Sequence, residues 1–84
     1  MTLLELLNAS AVEITVLDAM TGRIVLKDRH KLDRKTEKWG SLEVRNIHFR
    51  ARVSNFGFSS SIRPYICVYA SHDDIVRIRK QGEI

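Results

Sequence analysis

Two alternating runs joined through a glycine constrain this chain more than any other feature. In residues 12–18, VEITVLD, Val12, Ile14 and Val16 fall on one face and Glu13 and Thr15 on the other. Residues 23–29, RIVLKDR, return with Ile24 and Leu26 inward and Arg23, Lys27 and Arg29 outward. The intervening Ala19-Met20-Thr21-Gly22 supplies a residue that accepts positive φ, so the segment predicts a β-hairpin. A sheet must bury its apolar face against a second layer. The opening TLLELL provides one candidate. Thr2 followed by Glu5 is a capping box, and Leu3, Leu4, Leu6 and Leu7 give an apolar stripe at helical spacing. So short a helix is unstable alone and must dock.

Further along, residues 30–40 hold only Leu32 and Trp39 as apolar anchors, and suit a short helix or ordered loop stopped by Gly40. In residues 41–54, Leu42 and Val44 alternate in one phase and Ile47, Phe49, Ala51 and Val53 in the other. A one-residue phase change at Arg45-Asn46 predicts a β-bulge within one long strand. Residues 55–64, with three serines, a glycine and the single proline, read as a loop. Residues 65–71, YICVYAS, read as a central strand buried on both faces. Ser71 to Asp74 read as a polar turn, IVRIR (residues 75–79) as a final edge strand, and KQGEI as a frayed end. The fold class expected is α+β: a short N-terminal helix packed on a four- to five-stranded, mainly antiparallel sheet, as one domain over residues 1–84.

Length sets the scale of what such a domain can hold. A chain of 84 residues and 9.7 kDa folds to a surface of about 5,100 Å². That leaves one modest core and no room for separate substrate and cofactor modules. No apolar run reaches the roughly eighteen residues of a membrane span, and Glu5 within the opening apolar stretch makes it a poor signal peptide. No membrane association is expected. The single cysteine, Cys67, makes no internal disulfide, which points to a reducing, cytoplasmic setting.

Catalytic chemistry finds little support. Cys67 lies mid-strand in apolar company, where a thiol behaves as a small hydrophobe. His30, His48, His72, Cys67, Asp73 and Asp74 are the only donors for a metal and form no ligand pair. The four glycines are too dispersed for a phosphate cradle. Phe56-Gly57-Phe58 echoes the aromatic signature of RNA-recognition motifs. The serines that follow and a first strand without aromatics argue against base stacking there. No catalytic, cofactor or metal residues are assigned, and the chain is expected not to be an enzyme.

Charge is the remaining signal. Fourteen Lys and Arg against ten Asp and Glu give a net charge of +4, which serves solubility and also fits nucleic-acid binding. On a strand, His48, Arg50 and Arg52 line up about 7 Å apart. With Arg23, Lys27, Arg77 and Arg79 on the same face they would form a cationic plate. Such a plate fits an acidic protein surface; a nucleic acid, with Trp39 or Tyr65 stacking on bases, is the alternative. A homodimer through Leu3, Leu4 and Leu7, or through an edge strand, is a third reading.

TLLELL, the VEITVLDAMTGRIVLKDR hairpin and a late apolar strand resemble short uncharacterised proteins of phages and mobile elements of gut Firmicutes. The resemblance covers mainly residues 2–29. It implies a setting in which small proteins bind host proteins, defence machinery included, and it assigns no functional residue.

Overall fold

The computed structural model describes residues 1–81. In chain order it contains α1 (Leu3–Ala9), β1 (Glu13–Asp18), β2 (Ile24–Arg29), a 3-10 helix (Glu37–Ser41), β3 (Val44–Phe56), β4 (Ser59–Ala70) and α2 (His72–Gln81). The sheet order is β2-β1-β4-β3. Two antiparallel hairpins, β1–β2 and β3–β4, meet along a parallel β1–β4 seam that runs from Glu13 beside Tyr65 to Asp18 beside Ala70. The α+β class therefore stands, with four strands in a mixed sheet in which two of the three pairings are antiparallel.

Local chemistry explains the start. Thr2 Oγ1 accepts from the Glu5 amide at 3.3 Å, and the Glu5 carboxylate accepts from the Thr2 amide at 3.0 Å, closing the expected box. Leu3, Leu6 and Leu7 are buried. Together with Trp39, Leu42, Ile75 and Ile78 they pack on Ile14, Val16, Leu26, Val44, Ile66 and Val68 of the sheet. Leu32 and Trp39 both reach this core, and Gly40 sits inside the 3-10 helix, where a Cβ would lie 3.5 Å from that of Leu4. Because Leu3 and Leu7 are consumed in the core, the proposed leucine face has only half-exposed Leu4 left to offer a partner.

Residues 75–79 are helical, which corrects the edge strand expected there. Val76 and Ile78 alternate, but Ile75 and Ile78 are also one helical turn apart, and both are buried. Burial of Ile75 and Ile78 decides the matter, and Asp73 and Asp74 in the first turn and Arg79 and Lys80 in the last complement the helix dipole. Of the KQGEI end, Lys80 and Gln81 close α2, and Gly82 to Ile84 lie outside the described residues.

Two bulges set the strand faces. At the expected place between Arg45 and His48, the β3–β4 register slips. Asn46 adopts φ 53° there, so Val44 and Phe49 share a side. The second bulge, in β2, was not anticipated. Thr15 faces both Lys27 and Asp28, and Asp28 adopts φ 51°. Asp and Asn are the side chains that best tolerate this left-handed conformation. A further slip beside Val16 and Leu17 turns Ile24 outward, 55% exposed, and brings Val25 onto the core in its place.

The largest departure is residues 55–64, which form no loop. β3 and β4 continue as a regular ladder to the Phe56–Ser59 pair. Gly57, at φ 60°, and Phe58, with negative φ, make a two-residue connection with the sign pattern of a type II′ turn. Pro64 precedes the point where β1 joins β4, a stretch where β4 is still an edge and a missing N–H is tolerated. The distal half of this hairpin projects as an arm. The radius of gyration is 14.1 Å, against about 12 Å for a compact chain of this length. The surface is 6148 Å², above the scaling value of about 5,100 Å².

Candidate functional site: the outer face of the sheet

Both helices and the 3-10 helix lie on one side, so among the described residues no helix covers the opposite face of the sheet. Alternation along β3 and β4 brings His48, Arg50, Arg52, Arg63 and Tyr65 to this outer face, with His48 opposite Cys67, Arg50 opposite Tyr65 and Arg52 opposite Arg63. Parallel pairing adds Glu13 and Thr15 from β1, and the β2 bulge adds Lys27 and Asp28.

Two like charges directly opposite on neighbouring strands destabilise a sheet. Arg52 and Arg63 are in that position, and each is met by a carboxylate of the first hairpin. Arg52 Nη1 donates to Asp28 Oδ2 at 2.8 Å while its guanidinium lies 4.7 Å from the Tyr65 ring centre. Asp28 is fixed in turn by Thr15, whose hydroxyl accepts from the Asp28 amide at 3.1 Å and donates to Oδ1 at 3.2 Å. Arg63 pairs with Glu13, a buried carboxylate that also has His30 Nε2 at 3.4 Å. These pairs tie the base of the arm to the β1–β2 hairpin. Arg50 makes no ion pair among the described residues, and Arg45, opposite Tyr69, extends the row toward the body. His48 meets Tyr69 edge-on, with ring centres 5.9 Å apart.

The plate expected from sequence is thus partly assembled. His48, Arg50, Arg52 and Lys27 share the outer face. Arg23, Arg77 and Arg79 do not. Arg77 sits on α2 and donates to Asp74 at 3.2 Å. Arg23 and Arg79 flank a cleft of about 550 Å³ between the first turn and α2, with Asp18 and His72 between them. The reason is the helical state of residues 75–79, which carries both of its arginines to the covered side of the sheet. Arg45 and Arg63 were missed. Arg63 was hidden in the segment read as loop, and the two-residue spacing around Gly57-Phe58 was the signal that would have paired it with Arg52.

Asp18 joins the first turn to the start of α2. Its Oδ1 accepts from the Met20 and Thr21 amides at 2.8 and 3.3 Å, and Oδ2 lies 2.7 Å from His72 Nδ1. The His72 bond, followed by the two amides, holds the Asp18 pKa below the ordinary aspartate value against the opposing effect of burial. The pair links the turn after β1 to the first residue of α2. Cys67 is buried, 4% exposed, and lines none of the clefts described. Among the described residues no three His, Cys, Asp or Glu gather into a metal-holding group, and no helix is long and apolar enough to cross a membrane. Compared with known proteins, the chain matches no family model, no curated protein and no solved structure.

Proposed function

We propose that the chain is a non-enzymatic interaction protein that holds an acidic segment of a partner protein along the outer sheet face. The observation that carries this reading is a sheet face that no helix covers among the described residues, bearing Arg45, Arg50, Arg52 and Arg63, with Glu13 and Asp28 as the carboxylates that pair with them. Arg50, which makes no ion pair among the described residues, supplies a guanidinium at the centre of the row. Arg52, half-used by Asp28, orients its plane over Tyr65 and leaves that fork open to a second carboxylate. Lys27 adds charge at the β2 edge. In the phage-type setting that the sequence resembles, the partner is a host protein in a reducing cytoplasm, where Cys67 stays a thiol.

Two features favour a protein carboxylate cluster over a nucleic acid. Carboxylates embedded in the plate dilute a charge density that phosphate binding depends on. The two rings offered for base stacking are also withdrawn: Trp39 is buried in the core and Tyr65 lies beneath Arg52. The test is a titration of labelled poly-glutamate and of single- and double-stranded oligonucleotides at about 50 and about 200 mM salt. Glutamate binding that Arg45→Glu with Arg50→Glu weakens at least tenfold supports the reading; these two arginines make no ion pair among the described residues, so the fold is retained. Oligonucleotide binding that outcompetes poly-glutamate, or glutamate binding untouched by the double variant, contradicts it.

A further inference from the structure

The opposite face of the arm has a different chemistry. Phe49, Ala51 and Val53 on β3 lie beside Ile66, Pro64 and Ile62 on β4, continuing the side on which the helices pack. Near the body this side is covered, and Ile66 is buried. Farther out the covering helices end and the strip is bare: Phe49 is 81% exposed, Val53 62% and Ile62 70%. Toward the tip the strip passes into Asn55 and Ser60, and Phe58 in the turn is fully exposed. A two-stranded ribbon with an uncovered apolar face lacks the second layer that makes a sheet stable in water.

We infer that this strip is the interface through which two copies of the chain associate, arm against arm, each ribbon serving as the other's missing layer. Three observations single out a second copy. The first is charge. From Phe49 to Pro64 this face holds no charged side chain, whereas Arg50, Arg52 and Arg63 point from the other face. A neutral strip lets a chain of net charge +4 approach its own copy without setting arginine against arginine, and stacking on this strip turns the arginines of both copies outward. The second is shape. Symmetric dimers are isologous, so the patch must complement itself. Reversing one ribbon on the other sets the end that holds Phe49 and the Ala51–Pro64 rung against the small Asn55–Ser60 end and brings the Val53–Ile62 rungs near the two-fold axis. The third is area. The strip exposes on the order of 500 Å² of apolar surface, and with Asn55, Ser60 and Phe58 it approaches the roughly 800 Å² per partner of a standard interface. The association is independent of the acidic partner and uses the other side of the arm. A dimer would present two cationic faces back to back, so that one assembly holds two acidic segments.

Sedimentation velocity of the full chain from about 1 to about 500 μM, spanning the range of transient to stable pairs, tests this. The expected result is a concentration-dependent dimer. Val53→Lys with Ile62→Lys should weaken it roughly a hundredfold or more, since the central apolar contacts carry most of such an interface. Both positions are exposed in the monomer, and an unchanged circular-dichroism spectrum and melting curve for the variant at low concentration checks that it folds. A second variant, Phe49→Ser, should weaken the dimer less. Arg45→Glu with Arg50→Glu should dimerise as the parent does, so loss of acidic-peptide binding in that variant and loss of dimer in the lysine variant are read separately. A monomer throughout the range overturns the inference, as does a dimer indifferent to the lysine pair. A monomer that instead binds lipid vesicles through Phe58 overturns it as well.

Discussion

Strands β3 and β4 run through two different environments, and the contrast between their halves is the main lesson of this fold. In the body, Val44, Ile66, Val68 and Ala70 are sealed beneath α1, α2 and the 3-10 helix. In the arm, beyond the bulge at Arg45–His48, the same two strands still alternate and still aim Phe49, Val53 and Ile62 toward the helix side, yet these residues face solvent. Periodicity records which residues share a side. It does not record whether a layer exists to cover that side, because the layer comes from distant segments of finite length. α1 and α2 span seven and ten residues, about 10 and 15 Å of helix, whereas thirteen residues of β3 extend about 43 Å. The helices are too short to cover both halves.

Substitutions should expose this difference. The largest effect belongs to the body: Ile78→Ala or Ile14→Ala, at fully buried positions, should cost about 2–5 kcal/mol in urea unfolding. Val53→Thr in the arm, measured at low micromolar concentration, should change the same transition by less than about 0.5 kcal/mol. Comparable costs at both places would erase the distinction between the halves. A sharper version replaces residues 53–62 with Asn-Gly, a turn suited to two-residue hairpins. The Arg52–Asp28 and Arg63–Glu13 ties remain, so the shortened chain should fold and its scattering radius should fall from 14.1 Å toward about 12 Å. Collapse of the whole fold on this change would mean that the arm stabilises the body.

Much of the body was legible in the sequence, and the reasons are local. The Thr2–Glu5 box, the first hairpin and the bulge at Arg45-Asn46 each rest on a few adjacent residues with one favourable arrangement. The β2 bulge was less visible because Asp28 resembles any polar position of an alternating strand until Thr15 is placed opposite it. Residues 75–79 carried both periods at once, and the tertiary seats for Ile75 and Ile78 chose the helix. The arm was read as a loop because serine and proline dominate it. A hairpin with solvent on both faces tolerates that composition, and the Gly57-Phe58 pair, with Gly57 at φ 60°, is the turn that marks it. For the outer face, alternation correctly grouped His48, Arg50 and Arg52, while the scattering of Arg77 and Arg79 followed from the misread helix.

A smaller effect tests how α2 is joined to the body. The folded-state pKa of Asp18 is lowered, chiefly by His72, so its stabilisation is complete above the unfolded aspartate value and is lost as pH falls through the folded one. Acid unfolding of the parent should therefore steepen in that window, and Asp18→Asn should flatten the dependence while lowering stability at neutral pH. An identical acid profile would remove the Asp18–His72 bond from the account. The smallest change expected is Thr2→Ala, which deletes the cap of α1 and should cost about 1 kcal/mol, read from the same unfolding curves.

Amide hydrogen exchange followed at two protein concentrations tests the difference between body and arm most directly. Amides of β1 and of the β4 segment around Val68 should be protected equally at both. Those of residues 53–62 should exchange rapidly in dilute solution and become protected when the protein is concentrated, as a second copy supplies the missing layer. Arm protection that is already high in dilute solution, or that stays low at every concentration, would contradict the account.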